Sequence, residues 1–95
     1  MKRIYMDYNA TTPLLPEVLD AMRPYFSENF SNPASAYQSA QVARNAVEEA
    51  RIKIAQILNA DSSEEIYFTS CGTESNNIVI KGVAFENWDK KGKII

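Results

Sequence analysis

Apolar positions along this chain change period several times, and each change marks an element. Ile4 and Met6 alternate with Arg3, Tyr5 and Asp7, the two-residue period of a short strand, and Asn9-Ala10-Thr11-Thr12-Pro13 reads as the turn that ends it. Pro16 and Glu17 then open a helix. Val18, Leu19, Met22, Tyr25 and Phe26 trace its apolar stripe, and Pro24 within that stripe should kink or shorten it. Residues 29–35 form a polar loop containing Pro33. A long helix is predicted over residues 36–58, with Ala43, Val47, Ala50, Ile54, Ile57 and Leu58 on one face and Arg44 spaced to pair with Glu48. Residues 59–63 end it.

Residues 65–70 have the aromatic and β-branched content of a strand, Cys71-Gly72 is a turn, and a second good helix is predicted from Thr73 to about Asp89. Ile78, Val79, Val83, Phe85 and Trp88 supply its apolar positions. Lys90-Lys91-Gly92 suits a helix C-terminus, and Lys93-Ile94-Ile95 begins another strand. Strand, turn, helix, turn and strand make a βαβ unit, whose parallel sheet needs further strands and helices on both faces. The expectation is therefore the N-terminal part of a larger α/β domain, rather than a small α+β domain with a ragged end.

Composition narrows the function. With 45% hydrophobic and 23% charged residues the chain is globular rather than disordered. A net charge of −2 gives no electrostatic reason to expect nucleic acid or an acidic membrane. Cys71 is the only cysteine and there is no histidine, so neither an intramolecular disulfide nor a zinc site with the usual ligands can form from this chain. Asp7 arrives too early for a signal-peptide core, and no apolar run approaches the ~20 residues of a membrane span. A cytoplasmic location is expected.

The chemical signal lies in Phe68-Thr69-Ser70-Cys71-Gly72-Thr73-Glu74-Ser75. A strand ends, Gly72 makes the turn without a Cβ in the way, and Thr73 places a hydroxyl in the first turn of a helix. That turn carries amides without internal partners and the positive end of the helix dipole, so the corner suits an anion such as a phosphate monoester. A capped turn with no ligand is the alternative. No lysine follows Gly72, so the signature of a nucleotide-binding P-loop is absent. Lys53 and Lys81 are read as solvated helix residues.

Three further stretches combine with this corner. Residues 5–13, Tyr-Met-Asp-Tyr-Asn-Ala-Thr-Thr-Pro, the loop Ser31-Asn32-Pro33-Ala34-Ser35, and the ending Lys81-Gly82-Val83 followed by Lys90-Lys91-Gly92-Lys93-Ile94-Ile95 stand in order around Thr69 to Asn77. Together they resemble the cysteine desulfurase family over essentially all 95 residues.

The resemblance implies the N-terminal part of a fold-type I pyridoxal 5′-phosphate enzyme, a homodimer with a three-layer αβα large domain. Residues 1–13 would belong to its small domain and residues 14–95 to the large, cofactor-binding domain. It implies an enzyme that takes sulfur from L-cysteine, leaves L-alanine, and holds the sulfur as a persulfide for an iron–sulfur scaffold or another acceptor protein. Gly72 and Thr73 correspond to the positions that hold the cofactor phosphate, and Asn9 and Asn32 to the neighbourhood of the substrate. The family's stacking histidine, pyridine-pairing aspartate, Schiff-base lysine and persulfide cysteine correspond to nothing within these residues, so no catalytic residue is assigned and the 95 residues alone are expected to be inactive. Cys71 lies in the phosphate motif rather than on the family's mobile loop, and is read as a small buried side chain; a sulfur carrier, with its pKa depressed at a helix N-terminus, is the alternative. Ser31 stands where the family usually has glycine, and Tyr37 where it often has histidine. Another fold-type I aminotransferase or lyase would share the phosphate corner. A short non-catalytic interaction module is the remaining reading, and it requires autonomous folding.

Overall fold

The computed structural model describes residues 3–90 and 92. The chain divides into two compact units, Met1–Lys53 and Ile54–Ile95. In the first, α1 (Pro16–Met22) and α2 (Pro24–Ser27) replace the single proline-marked helix that the sequence predicts. Each begins with proline at its first position, where a missing N–H breaks no bond. Arg23 closes α1 by donating to the Leu19 carbonyl at 3.0 Å, and Pro24 cannot donate to continue it, so the helix restarts rather than bends.

Helix α3 (Ser39–Leu58) begins three residues later than expected. Residues 36–38 belong instead to the preceding loop, tied to the helix by Ser31 Oγ on Ser39 Oγ at 3.1 Å and by Arg44. Arg44 thus turns toward the loop, and Glu48 pairs with Arg51 at 3.1 Å, in place of the expected Arg44–Glu48 pair. At its other end Asn59 adopts a left-handed φ of 54°. Ala60 N–H then reaches the Ala55 carbonyl and Asn59 N–H the Gln56 carbonyl, the paired bonds that satisfy the last carbonyls of a helix.

In the second unit a 3₁₀ turn (Ser63–Glu65) is capped by the Ser62 hydroxyl and leads into extended backbone at Ile66 (φ −97°, ψ 117°). No strand is formed among the described residues, at residues 4–6 or at 65–70. A strand exists only as part of a ladder. The second strand expected in the βαβ unit, residues 93–95, lies outside the described residues. Residues 4–7 have no regular structure, and the Tyr5 hydroxyl lies within donating distance of the carbonyl oxygens of Asp7 and Thr11, at 2.8 and 3.3 Å. Helix α4 (Gly72–Glu86) ends before Asp89, at Asn87 (φ −112°, ψ 22°), whose backbone and carboxamide both donate to the Val83 carbonyl. A 3₁₀ turn (Trp88–Lys90) follows.

The extended segment and α4 meet as strand and helix do. Glu65, Tyr67 and Thr69, alternate residues of one face, line a groove of about 230 Å³ with Ser75, Ile78 and Val79, neighbours on one helix face.

Burial is slight. The buried apolar residues are Ala40, Ala43 and Ala55. On the predicted apolar face of α3, Val47 is 37% exposed and Ile57 81%, and on α4 Val79 is 63% exposed. Among the described residues these apolar faces lie largely exposed.

The 95-residue polypeptide in isolation should therefore lose its ellipticity at 222 nm gradually on heating and bind a hydrophobic dye at room temperature. A single sharp transition with no dye binding would show that the helices form an independent core.

Candidate functional site

Helix α4 begins where the sequence places the anion corner. Cys71 precedes it in fully extended backbone (φ −167°, ψ 171°), and Gly72, Thr73 and Glu74 form the first turn. Ser75 N–H is the first to find a helical carbonyl, that of Cys71 at 3.1 Å. The amides of Gly72, Thr73 and Glu74 donate to no backbone carbonyl among the described residues, as helix geometry dictates. A Cβ built at Gly72 would meet nothing within 4 Å, so the space beside its Cα is open. Nothing within the chain calls for glycine there, since its φ is not left-handed. Its small size matters only toward something that approaches from outside.

Side chains brace the corner. The Glu74 carboxylate folds back, accepting from Ser70 N–H at 2.7 Å and from the Ser70 hydroxyl. This resembles a capping box displaced by one residue, and it turns the negative charge onto Ser70 rather than the open amides. Thr69 Oγ1 lies 2.7 Å from Ser75 Oγ, joining the end of the extended segment to the second turn of α4. Asn77 donates to the Thr73 carbonyl at 2.9 Å. Sequence reasoning missed the Glu74 brace. The capping template expects serine or threonine three residues before the glutamate, and Cys71 occupies that place.

Cys71 registers the field of the corner. It is exposed, contrary to the buried position expected from sequence. Its thiol is held below its ordinary value, foremost by the Glu74 amide, then by the Ser70 hydroxyl and the Thr73 amide. The sulfur makes no capping hydrogen bond, and the single Ser70 proton has the Glu74 carboxylate as a nearer partner than the sulfur, 3.8 Å away. The effect is therefore mainly that of amide dipoles favouring negative charge, the property a phosphate site needs.

These residues fit a phosphate monoester: open amides, a hydroxyl at Thr73, and no carboxylate aimed at them. Among the described residues no acidic or cysteine cluster could hold a metal ion, and no helix is long and apolar enough to cross a membrane.

Asn9 and Asn32 lie in the other unit, Met1–Lys53. Asn9 sits in the exposed turn closed by Ala10 N–H on the Asp7 carbonyl, the carbonyl that Tyr5 also holds. Asn32 turns its side-chain oxygen onto Ala34 N–H at 2.9 Å, while its backbone carbonyl accepts from Ser35 N–H. Arg44 donates from Nε to the Pro33 carbonyl at 3.0 Å and from a terminal nitrogen to that of Ser35.

The Glu74 carboxyl is held below its ordinary value of 4.5, first by the Ser70 hydroxyl and then by the Ser70 amide. A depressed carboxylate stabilises the folded corner fully above its unfolded value, and the gain disappears as pH falls through the lower folded value. Carbon-13 NMR titration of the Glu74 carboxyl should give a midpoint below 4.5, and Ser70→Ala should move it upward. An unmoved midpoint would remove the Ser70 hydroxyl as the cause.

The chain is similar to known proteins along nearly its whole length. The family described as Aminotransferase class-V matches residues 4–95. Proteins named Cysteine desulfurase IscS are 52% identical over 94 residues in Methanosarcina thermophila and 55% identical over 96 residues in Dictyoglomus turgidum. These alignments take in 99% and 100% of this chain but only 23% and 24% of the relatives, so the chain spans about a quarter of their length. A solved structure described as a NifS-like protein matches 95% of the chain, and 24% of its own, with TM-score 0.86 and 41% identity. The expected fold is thereby borne out as part of a fold-type I enzyme, with the missing strands a matter of ladder partners. Matched along nearly its whole length and folded as such a protein is, the chain belongs to the class-V aminotransferase family.

Proposed function

We propose that this chain is the N-terminal segment of a pyridoxal-phosphate-dependent cysteine desulfurase, and that its part in the enzyme is to hold the cofactor's phosphate. The single observation that carries the reading is the first turn of α4, whose three amides donate to no backbone carbonyl among the described residues and which opens on a glycine with free space about its Cβ position. The names and roughly half identity of the relatives support the choice of reaction.

Gly72 would bring its amide against the phosphate without steric hindrance, and Thr73 would add its amide and hydroxyl. Glu74 would contribute its amide, while its carboxylate stays on Ser70. Bound pyridoxal phosphate supplies an electron sink for breaking bonds of an amino-acid substrate. In the proposed overall reaction L-cysteine and an enzyme thiol give L-alanine and an enzyme persulfide, so the sulfur moves with no external oxidant or reductant. An iron–sulfur scaffold or another acceptor protein would then take the persulfide sulfur. Asn9 and Asn32 would stand near the substrate, with residues 1–13 in the small domain and residues 14–95 in the large one. The enzyme would act as a cytoplasmic homodimer.

A hydrogen bond to a charged group contributes roughly 1.5–3 kcal/mol. In the full-length protein carrying this segment, Thr73→Val should therefore weaken pyridoxal phosphate binding by roughly 10- to 150-fold, while Thr73→Ser should stay close to wild type. Equilibrium dialysis of the cofactor-free protein measures both. Equal affinity in wild type and Thr73→Val would remove Thr73 from the site. Cofactor binding without alanine formation from L-cysteine would point to another fold-type I reaction.

A further inference from the structure

Residues 31–38 connect two helical regions without regular structure of their own. Pro33 has no N–H to offer, and the loop's internal donors at Ala34 and Ser35 are both committed to Asn32. The carbonyls of Pro33 and Ser35 are instead held from α3 by two nitrogens of one side chain, Arg44. A guanidinium is a rigid planar fork, so fixing two carbonyls two residues apart also fixes the backbone between them. Asn32 sits immediately before this clamped stretch, with its side-chain oxygen occupied by Ala34 N–H. Its Nδ2 has no protein acceptor among the described residues, so both of its donors are left for a ligand, while Oδ1 already accepts one bond.

We infer that Arg44 is a positioning residue. By clamping the carbonyls of Pro33 and Ser35 it orients the Asn32 amide nitrogen toward an acceptor oxygen of the substrate, which in an amino acid is the carboxylate. This rests on the reading above, in which the Asn32 loop borders the substrate.

The test uses the full-length, cofactor-loaded protein and reads two quantities, amide hydrogen exchange at residues 34–37 and steady-state kinetics with L-cysteine. Arg44→Ala should speed exchange in the loop by about tenfold or more. KM should rise roughly fivefold or more, with kcat within about twofold and cofactor content unchanged. Arg44→Lys keeps the charge and is the safer variant for folding. It loses the fork and should change both quantities in the same direction, with KM raised at least about threefold. A general loss of structure would instead lower the melting temperature and kcat together. Wild-type exchange in both variants overturns the clamp, and faster exchange with wild-type KM overturns the positioning role. Should the wild-type protein form no alanine from L-cysteine, the enzymatic reading fails, and the inference that depends on it fails with it; the exchange measurement would still decide whether Arg44 clamps the loop.

Discussion

The first turn of α4 has more donors than the chain has acceptors, and the architecture of the second unit follows from how that surplus is managed. Every helix start leaves amides unsatisfied, and a typical cap supplies an oxygen from the preceding side chain. Here that place holds Cys71, whose sulfur makes no capping bond. The one nearby carboxylate, Glu74, turns to Ser70 instead. The amides of Gly72, Thr73 and Glu74 are left without backbone acceptors, and those of Glu74 and Thr73 hold the Cys71 thiol below its ordinary value. A stronger cap would have stabilised the helix and closed the site.

The same logic operates in the first unit on a different scale. A loop with few internal bonds is rigidified from a helix, two carbonyls at once, by Arg44. A turn near the N-terminus is gathered around one tyrosine hydroxyl, Tyr5 on Asp7 and Thr11. In both cases one long side chain with donors at its end does what a sheet or helix does elsewhere, and it leaves an asparagine displayed beside it. The exposed Asp20–Arg23 pair contrasts with these. Between two solvated ions it contributes little, roughly 0–1 kcal/mol.

The three small buried side chains and the wide exposure of Ile57, Val79 and their neighbours bear on the interaction-module reading. A module that folds alone covers its large apolar residues first. These helices keep theirs outward, in faces whose spacing is regular enough to pack against further layers, as in relatives about four times as long.

The sequence by itself determined the helices, the anion corner and the family resemblance. Helix periodicity, proline at α1 and α2, and the Gly72-Thr73 turn are local properties, encoded within a few residues. Several features depended on which partner a side chain finds in space. Arg44 had an equally good neighbour four residues on, and the choice fell to the loop carbonyls brought beside it by the chain's reversal before Ser39. Glu74 left the capping template for a residue one place earlier, which only the extended Cys71 backbone makes reachable. The strands were legible as composition, yet a strand is a relation between segments, and that relation is decided by tertiary structure because its hydrogen bonds leave the segment that carries them.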